Sequence, residues 1–245
     1  MKKILIIGAN SSIAQAIIRE LAKEPSSFFL VGRNPEKLQN LEQDLKVRGV
    51  THLKSLVSDL SILPQHDDIL SQALSFLGSL DIVLLAHGQL SDQALAEKNV
   101  GYALEQMNIN FLSYVSLLTL LANIFEEQKK GSIAVISSVA GDRGRPSNYL
   151  YGTAKGALSL FLQGLRARLA KYNVSVLTIK PGMIETPMTA HLPSGPLFVS
   201  PKTVAKDVVS ALKKKREIIY TPSYWRYIMT IICSIPERYF KQLSL

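Results

Sequence analysis

Four polar side chains have the types and the spacing needed for proton transfer. Tyr151 and Lys155 are four residues apart in a helical pattern, so they share one helix face. Ser138 stands thirteen residues before Tyr151, directly after an apolar run, and Asn110 lies in an earlier helical stretch. A phenol and a hydroxyl that converge on one point can protonate and hydrogen-bond an oxygen on which negative charge builds up. This pattern predicts acid–base chemistry at a carbonyl group.

A second set of residues predicts a dinucleotide site. The first apolar run is followed by Gly8-Ala9-Asn10-Ser11-Ser12-Ile13-Ala14, which opens a helical pattern. Gly8 permits a tight turn, and small side chains at Ser12 and Ala14 let backbone amides approach a pyrophosphate at the positive end of a helix. The second apolar run ends at Arg33, where an acidic residue would bind the ribose 2′-hydroxyl of NAD. A guanidinium there favours NADP(H), with NAD(H) as the alternative.

These residues need elements to position them, and the chain alternates apolar runs with helical patterns. Strands that are apolar throughout must be covered on both faces, which predicts a parallel sheet with helices on each side. We therefore expect a doubly wound α/β Rossmann fold, with one domain over 1–222 and an amphipathic tail over 223–245. Ligands of such sheets bind beyond the carboxyl ends of the strands. The predicted strands are 4–7, 28–31, 52–57, 81–86, 132–137, 174–179 and 218–220, and the predicted helices begin with a stripe over 13–21 and continue with 35–46, 95–127, 149–171 and 203–214.

The tetrad Asn110, Ser138, Tyr151 and Lys155 resembles the catalytic tetrad of the short-chain dehydrogenase/reductase family, and the resemblance extends from Lys3 to about Tyr220. It implies that Tyr151 donates a proton, that Ser138 binds the carbonyl oxygen, and that Asn110 holds a water linking Lys155 to solvent. Lys155 would also grip the ribose. A free tyrosine titrates near ~10, so we expect the Lys155 ammonium and the nicotinamide to lower the pKa of Tyr151 by about three units.

The same resemblance covers the cofactor loops. Gly8, Ser12 and Ala14 match G-x-x-x-G-x-G with two small-residue replacements. It implies that Asp59 recognises the adenine amino group and that Thr186, in a P-G-x-x-x-T match, contacts the nicotinamide amide. His87 stands in a segment where the family has Asn-Asn-Ala-Gly, and we interpret it as a supporting residue or a tolerated substitution. The predicted cofactor residues are Gly8, Asn10, Ser11, Ser12, Ile13, Arg33, Asp59, Leu60, Ala86, His87, Gly88, Tyr151, Lys155, Pro181, Gly182, Ile184 and Thr186, and no metal site is predicted.

The substrate side gives weaker signals. Arg143 and Arg145 lie between Ser138 and Tyr151 and either meet a phosphate or carboxylate at the pocket mouth or are solvated loop residues. The stretch 137–155 and the segments 220–222 and 224–226 are similar to keto-sugar reductases that act on polyprenyl-phosphate-linked pentose. This similarity implies a small-molecule or lipid-linked carbonyl substrate near a membrane.

Charge and hydropathy single out the C-terminal region. Nine basic and three acidic residues lie from Lys202 onward, which accounts for six of the nine net positive charges. The tail over 223–245 combines aromatic, isoleucine and basic residues, a pattern typical of an interfacial helix on a membrane. An oligomer contact and a flap over the active site are the alternatives. The family resemblance implies a homodimer or homotetramer, and no nucleic-acid module is recognisable.

Composition and motifs limit the function further. The single cysteine, Cys233, excludes an internal disulfide and predicts a cytoplasmic protein, placed by its tail at the inner face of the membrane. The chain contains no G-x-S-x-G and no H-E-x-x-H motif, which argues against a hydrolase. The prediction is an NAD(P)H-dependent oxidoreductase acting on a ketone or secondary alcohol. A catalytically silent nucleotide-binding scaffold or regulator of the same fold is the alternative.

Overall fold

A computed structural model describes residues 1–190 and 195–243 and contains one seven-stranded sheet in the order β3-β2-β1-β4-β5-β6-β7. Every neighbouring pair of strands is parallel. The order reverses between β1 and β4, which is where a doubly wound sheet opens a crevice for its ligand. The predicted fold class is confirmed. The strands are β1 Lys2–Ile7, β2 Ser26–Gly32, β3 Leu53–Val57, β4 Ile82–Leu85, β5 Gly131–Ile136, β6 Val174–Pro181 and β7 Ile218–Thr221.

The strands are apolar throughout because both faces of the sheet are covered. Along β1, Leu5 and Ile7 pack in one core cluster while Ile4 and Ile6 pack in the cluster on the other face. All four side chains are fully buried, as the two-residue period of a strand requires when helices lie on both sides. The helices are α1 Ser12–Leu21, α2 Pro35–Val47, α3 His66–Leu77, α4 Gln93–Ala96, α5 Val100–Met107, α6 Ser113–Gln128, α7 Tyr149–Ala170, α8 Pro201–Lys213, α9 Trp225–Ser234 and α10 Glu237–Phe240.

The prediction of one long helix over 95–127 is wrong in its first part. The short helix α4 ends at Ala96, and a new helix begins after Asn99, whose side chain accepts a hydrogen bond from the Tyr102 amide. An asparagine at this capping position restarts the helix and leaves a break before it. A π-helical turn, Asn108–Leu112, then joins α5 to α6.

The stretch Val100–Gln128 is long and apolar enough to cross a membrane by length and composition alone. In this fold it packs against the sheet, because Tyr114, Leu117, Leu121 and Phe125 are fully buried in the same cluster as strand residues. It is a core helix of the domain.

The tail packs on the domain at the carboxyl edge of the sheet. β7 ends at Thr221, and α9 folds back so that Trp225 and Met229 form a small cluster with Val139. The predicted boundary between 222 and 223 therefore falls in the link between β7 and α9. The inner face of α9 covers the cleft described below, while Tyr227 and Ile231 point outward and are 72% and 68% exposed.

Candidate active site

A cleft of about 700 Å³ opens at the carboxyl edge of the sheet and collects residues that follow six different strands. Every residue of the predicted cofactor set lines it, and so does Ser138. Asn110 is the exception among the predicted catalytic residues, because it lies behind the wall of the cleft. The lining also includes Lys37, Arg145 and Trp225, which the sequence did not assign to the cofactor site.

The loop after β1 has the geometry of a phosphate cradle. Gly8 has φ +90°, and a Cβ at this position would lie 2.5 Å from the backbone nitrogen of His87. Only glycine meets both conditions without strain. The next turn leads into α1, whose capping residue Ser11 makes no side-chain capping bond within the part of the chain described. The first amides of α1 are thus available to an anion at the positive end of the helix.

Asn10 connects the loop after β1 to the loop after β2. Its Oδ1 accepts a hydrogen bond from the Asn34 amide at 2.8 Å, and its Nδ2 donates to the Asn34 carbonyl at 3.3 Å. This pair of bonds fixes the position of Arg33, which precedes Asn34 and is exposed at one end of the cleft. Asn10 was predicted as a cofactor residue, and the structure adds a positioning role.

Two cations and one anion line the end of the cleft near β2 and β3. Arg33 is joined by Lys37, one turn into α2. Asp59 uses Oδ1 to accept hydrogen bonds from the amide and the hydroxyl of Ser61, at 2.9 and 2.8 Å. These bonds, the backbone bond foremost, lower the pKa of Asp59, and the nearby charge of Arg33 acts in the same direction. Burial opposes them. The sequence does not indicate Lys37 as a cofactor residue, because its position near the start of a helix is also typical of a solvated side chain.

Small residues hold the loop after β5 against α7. A Cβ at Gly152 would lie 2.8 Å from the Ala140 carbonyl oxygen, and a Cβ at Gly141 would lie 2.6 Å from the Gly156 nitrogen. Such close approach of two backbones requires glycine. It brings Ser138 next to the face of α7 that carries Tyr151.

Burial raises the pKa of Tyr151 to about 12, while its polar interaction with the Ser138 side chain acts in the opposite direction. The expected lowering of this pKa includes the positive charge of the nicotinamide and stays a prediction, because burial prevails in the protein by itself. The Lys155 Nζ lies 5.8 Å from the centre of the Tyr151 ring, and among the described residues it donates to the Ile136 carbonyl and not to the phenol. At neutral pH the phenol is protonated, which is the form that donates a proton.

Lys155 is a buried cation. It is 2% exposed, its Nζ donates to the Ile136 carbonyl at 3.2 Å, and it lies 4.8 Å from the centre of the Tyr114 ring. No carboxylate pairs with it among the residues described. Burial lowers the pKa of Lys155 to about 7.

Asn110 supports the loop after β4 from behind. It is fully buried in the π-helical turn, where its Oδ1 accepts from the Gln89 amide and its Nδ2 donates to the Gln106 carbonyl, both at 3.1 Å. Gly88 lies between Asn110 and the cleft, and a Cβ there would meet the Asn110 Oδ1 at 2.8 Å. The side chain fixes the cleft wall next to Lys155, and the expected water link stays a prediction.

His87 is neutral and packed into the wall. Its Nε2 lies 2.8 Å from the Ser113 Oγ, which itself donates to the Ile109 carbonyl, so Nε2 carries the proton. The ring stacks on Tyr114 with 3.9 Å between centres. Burial, together with the charge of Lys155, lowers the pKa of His87 well below its ordinary value. A neutral, stacked ring suits the supporting role that we expected.

The two arginines of the loop between β5 and α7 behave differently. Arg145 lines the cleft, while Arg143 turns away and binds the tail. Trp225 enters the cleft from α9, with its indole Nε1 packed against Gly182. Trp225 belongs to the predicted amphipathic tail, and the aromatic pattern of that tail does not reveal which face of α9 turns inward.

Comparisons with known proteins agree with this geometry. The profile of the short chain dehydrogenase family matches residues 2–196. An uncharacterized oxidoreductase of Mycobacterium tuberculosis is 31% identical over 234 residues, which cover 96% of this chain and 94% of the relative. An uncharacterized oxidoreductase of Staphylococcus epidermidis is 29% identical over 218 residues, which cover 89% of this chain and 93% of the relative. In fold, the chain is similar to a variant of actinorhodin polyketide ketoreductase solved with NADPH. The TM-score is 0.81 at 21% identity, and the match covers 91% of this chain and 97% of the ketoreductase.

Proposed function

Because this chain belongs to the short-chain dehydrogenase family of oxidoreductases, we propose that it uses NADP(H) to interconvert a ketone and a secondary alcohol. The observation that carries the proposal is that Ser138, Tyr151 and the buried Lys155 line one cleft, which also contains the cradle at Gly8. Tyr151 is the proton donor that the reaction requires, Ser138 binds the carbonyl oxygen, and Lys155 is the cation.

The cleft suits a phosphorylated dinucleotide. The open amino end of α1 and the turn at Gly8 can receive the pyrophosphate. Arg33 and Lys37, which lie at the same end of the cleft, supply positive charge for a 2′-phosphate. Two cations at this point support NADP(H) over NAD(H).

When bound, the nicotinamide supplies or receives the hydride at the carbonyl carbon. In the direction of reduction, Tyr151 donates its proton to the carbonyl oxygen as negative charge develops there. Ser138 donates a hydrogen bond to the same oxygen and thereby stabilises the charge. Burial keeps the phenol protonated before the reaction begins.

Proton return uses the groups behind Tyr151. The charged form of Lys155 stabilises the phenolate that remains after proton donation, because opposite charges attract strongly in a buried site. Lys155 then passes a proton forward, and Asn110 holds the water that connects it to solvent. Asn110 lies next to Lys155, since both contact the space at Gly88.

The function is tested by following the loss of NADPH absorbance with a panel of ketones. We expect wild-type protein to oxidise NADPH with at least one ketone, and to form the corresponding secondary alcohol. A protein that binds NADPH but reduces none of the ketones, and oxidises none of the matching alcohols, would be the nucleotide-binding scaffold instead.

We further propose that the protein acts on a lipid-linked or otherwise membrane-associated substrate at the cytoplasmic face of a membrane. Support comes from α9, which reaches the active site with Trp225 on one face and exposes Tyr227 and Ile231 on the other. A helix with this arrangement can contact lipid while it borders the substrate.

A further inference from the structure

The substrate half of the cleft, meaning the part next to Ser138 and Tyr151, contains a guanidinium that has no ion-pair partner among the described residues. Arg145 lines the cleft, and its Nε is buried with no hydrogen-bond partner among residues 1–190 and 195–243. Its Nη2 contacts the Met229 sulfur at 3.4 Å, which is a weak acceptor. Burial lowers the pKa of Arg145, as expected for a cation that has lost water and gained little in return.

The carboxylates nearby are already paired with other groups. Asp142 binds the Lys180 Nζ at 2.5 Å and accepts from the Tyr220 hydroxyl at 2.8 Å. Glu237 binds the Arg143 guanidinium at 2.7 Å. Within the described part of the chain, no carboxylate forms an ion pair with Arg145. The charge of Asp142 acts on it without direct contact, and Asp142 is already bonded to Lys180.

A second unsatisfied donor lies in the same half of the cleft. Trp225 is 4% exposed, and its Nε1 has no hydrogen-bond partner in the described residues. A buried indole N–H normally has an acceptor. Trp225 and Arg145 are also connected through Met229, which packs with Trp225 and contacts the guanidinium.

We propose that Arg145 and Trp225 form an anion subsite, so that the substrate is a ketone or secondary alcohol carrying a phosphate or carboxylate group. The anion would accept charge-assisted hydrogen bonds from Arg145 and one bond from the Trp225 Nε1. This inference rests on the proposed oxidoreductase function, because it places the anion beside the carbonyl bound by Ser138 and Tyr151. A lipid phosphate and a free phosphate or carboxylate share the required chemistry.

Binding is tested without turnover, because Trp225 is the single tryptophan of the chain. Its fluorescence is followed during titration with inorganic phosphate, at constant ionic strength and with saturating NADP⁺ to fill the cofactor end. We expect a saturable change in wild-type protein and an apparent Kd raised about ten- to a hundred-fold in Arg145→Gln. Arg145→Lys should retain part of the affinity. Arg168→Gln, which removes a guanidinium paired with Glu126, should match wild type.

Turnover is tested with matched substrates, a keto acid with its methyl ester and a ketose phosphate with the free ketose. Wild-type protein should prefer the anionic member of a pair, and the ratio of kcat/KM values should fall about ten-fold or more in Arg145→Gln. An alkyl phosphodiester of the same ketose distinguishes a lipid phosphate from a free phosphate as the source of the anion. A preference for it over the phosphate monoester indicates a lipid-borne anion, and the reverse preference indicates a free one.

The outcomes separate this inference from the proposed function. Phosphate affinity that is the same in wild type and Arg145→Gln, or the absence of any phosphate effect, overturns the subsite. If neutral ketones are reduced with no anionic preference, the oxidoreductase stands and the subsite fails. If phosphate binding depends on Arg145 but no ketone is reduced, the subsite stands and the oxidoreductase fails.

Discussion

The guanidinium of Arg143 stacks on the ring of Phe240, with 4.2 Å between the guanidinium carbon and the ring centre. The same side chain donates to the Ile235 carbonyl at 3.1 Å and binds Glu237 at 2.7 Å. Arg143 belongs to the loop that connects Ser138 to Tyr151. One side chain of the loop between β5 and α7 therefore binds the end of α9 and two residues of α10.

Removal of this contact should loosen the tail. In Arg143→Ala, we expect faster amide hydrogen exchange across α9 and α10 and a raised KM for the carbonyl substrate, because Trp225 is held over the cleft less firmly. Hydrogen-exchange mass spectrometry and steady-state kinetics measure the two effects. Arg168→Ala is the matched control on α7. Unchanged exchange in the tail would show that the packing of Trp225 and Met229 holds it without Arg143.

Tyr151→Phe removes the proton donor and keeps the ring. We expect turnover to fall by about 10²–10⁴-fold, the usual contribution of general acid catalysis, while the Kd for NADPH changes little. Tyr149→Phe is the control, since Tyr149 begins the same helix but is exposed. A Tyr151→Phe variant that keeps a tenth of the wild-type rate would remove Tyr151 from the role of proton donor.

The sequence predicted the positions of the cofactor loops because strand ends can be located without the tertiary structure. Apolar runs have sharp ends, and a parallel sheet brings those ends to one edge. Gly8, Arg33 and Thr186 are far apart in the chain, yet each follows such a run and each lines the cleft. The spacing of Tyr151 and Lys155 similarly predicted a shared face, since both lie in α7.

The remaining features depend on packing that sequence periodicity does not encode. Trp225 and Tyr227 are both aromatic residues of one amphipathic helix, and only the docked position of α9 decides which of them enters the cleft. The expected fall in the pKa of Tyr151 depends on the charge of the nicotinamide, and in the protein by itself burial outweighs the opposing effect of Ser138. Asn99 could have marked the helix break, because asparagine is a favoured capping residue.

The buried Lys155 should make stability depend on pH. Its pKa is lowered from 10.5 to about 7 in the folded protein. Between these values the unfolded chain binds the proton and the folded protein does not, so the free energy of unfolding rises as the pH rises from about 7 to 10.5. Below about pH 7 the destabilisation is present in full.

Lys155→Met should therefore abolish turnover and yet stabilise the cofactor-free protein at pH 7, on the order of a few kcal/mol. The difference in the free energy of unfolding between the variant and the wild type should shrink toward pH 10. Thermal unfolding across this range measures it, with the exposed Lys171→Met as the control. A variant less stable than wild type at pH 7 would mean that Lys155 gains more from its contacts than it loses through burial.

Arg33 should determine the choice of cofactor. Arg33→Ala should weaken NADPH binding by about ten- to a hundred-fold and NADH binding much less, because only NADPH carries the 2′-phosphate. Titration calorimetry with both cofactors measures the difference, and Lys46→Ala at the far end of α2 serves as the control. Equal losses for the two cofactors would show that Arg33 does not recognise the phosphate, and Lys37→Ala would then be the variant to compare.

The outward face of α9 should bind anionic membranes. Tyr227 and Ile231 are exposed there, and most of the net positive charge lies from Lys202 onward. Apolar insertion and attraction to anionic lipid act together, so binding should require anionic lipid and weaken with salt. Truncation of the tail would not test this cleanly, because Trp225 and Met229 pack at the active site.

A double variant, Tyr227→Ser with Ile231→Ser, changes the outward face and leaves the inward face intact. We expect wild-type protein to float with vesicles containing phosphatidylglycerol but not with phosphatidylcholine alone, and the double variant to lose flotation while it keeps its activity on a water-soluble ketone. Leu160→Ser is the matched control, since Leu160 is also 68% exposed but lies on α7. If wild type does not float, or the double variant floats equally well, the outward face is better assigned to packing between subunits. In that case the double variant should instead lower the oligomer mass measured by light scattering.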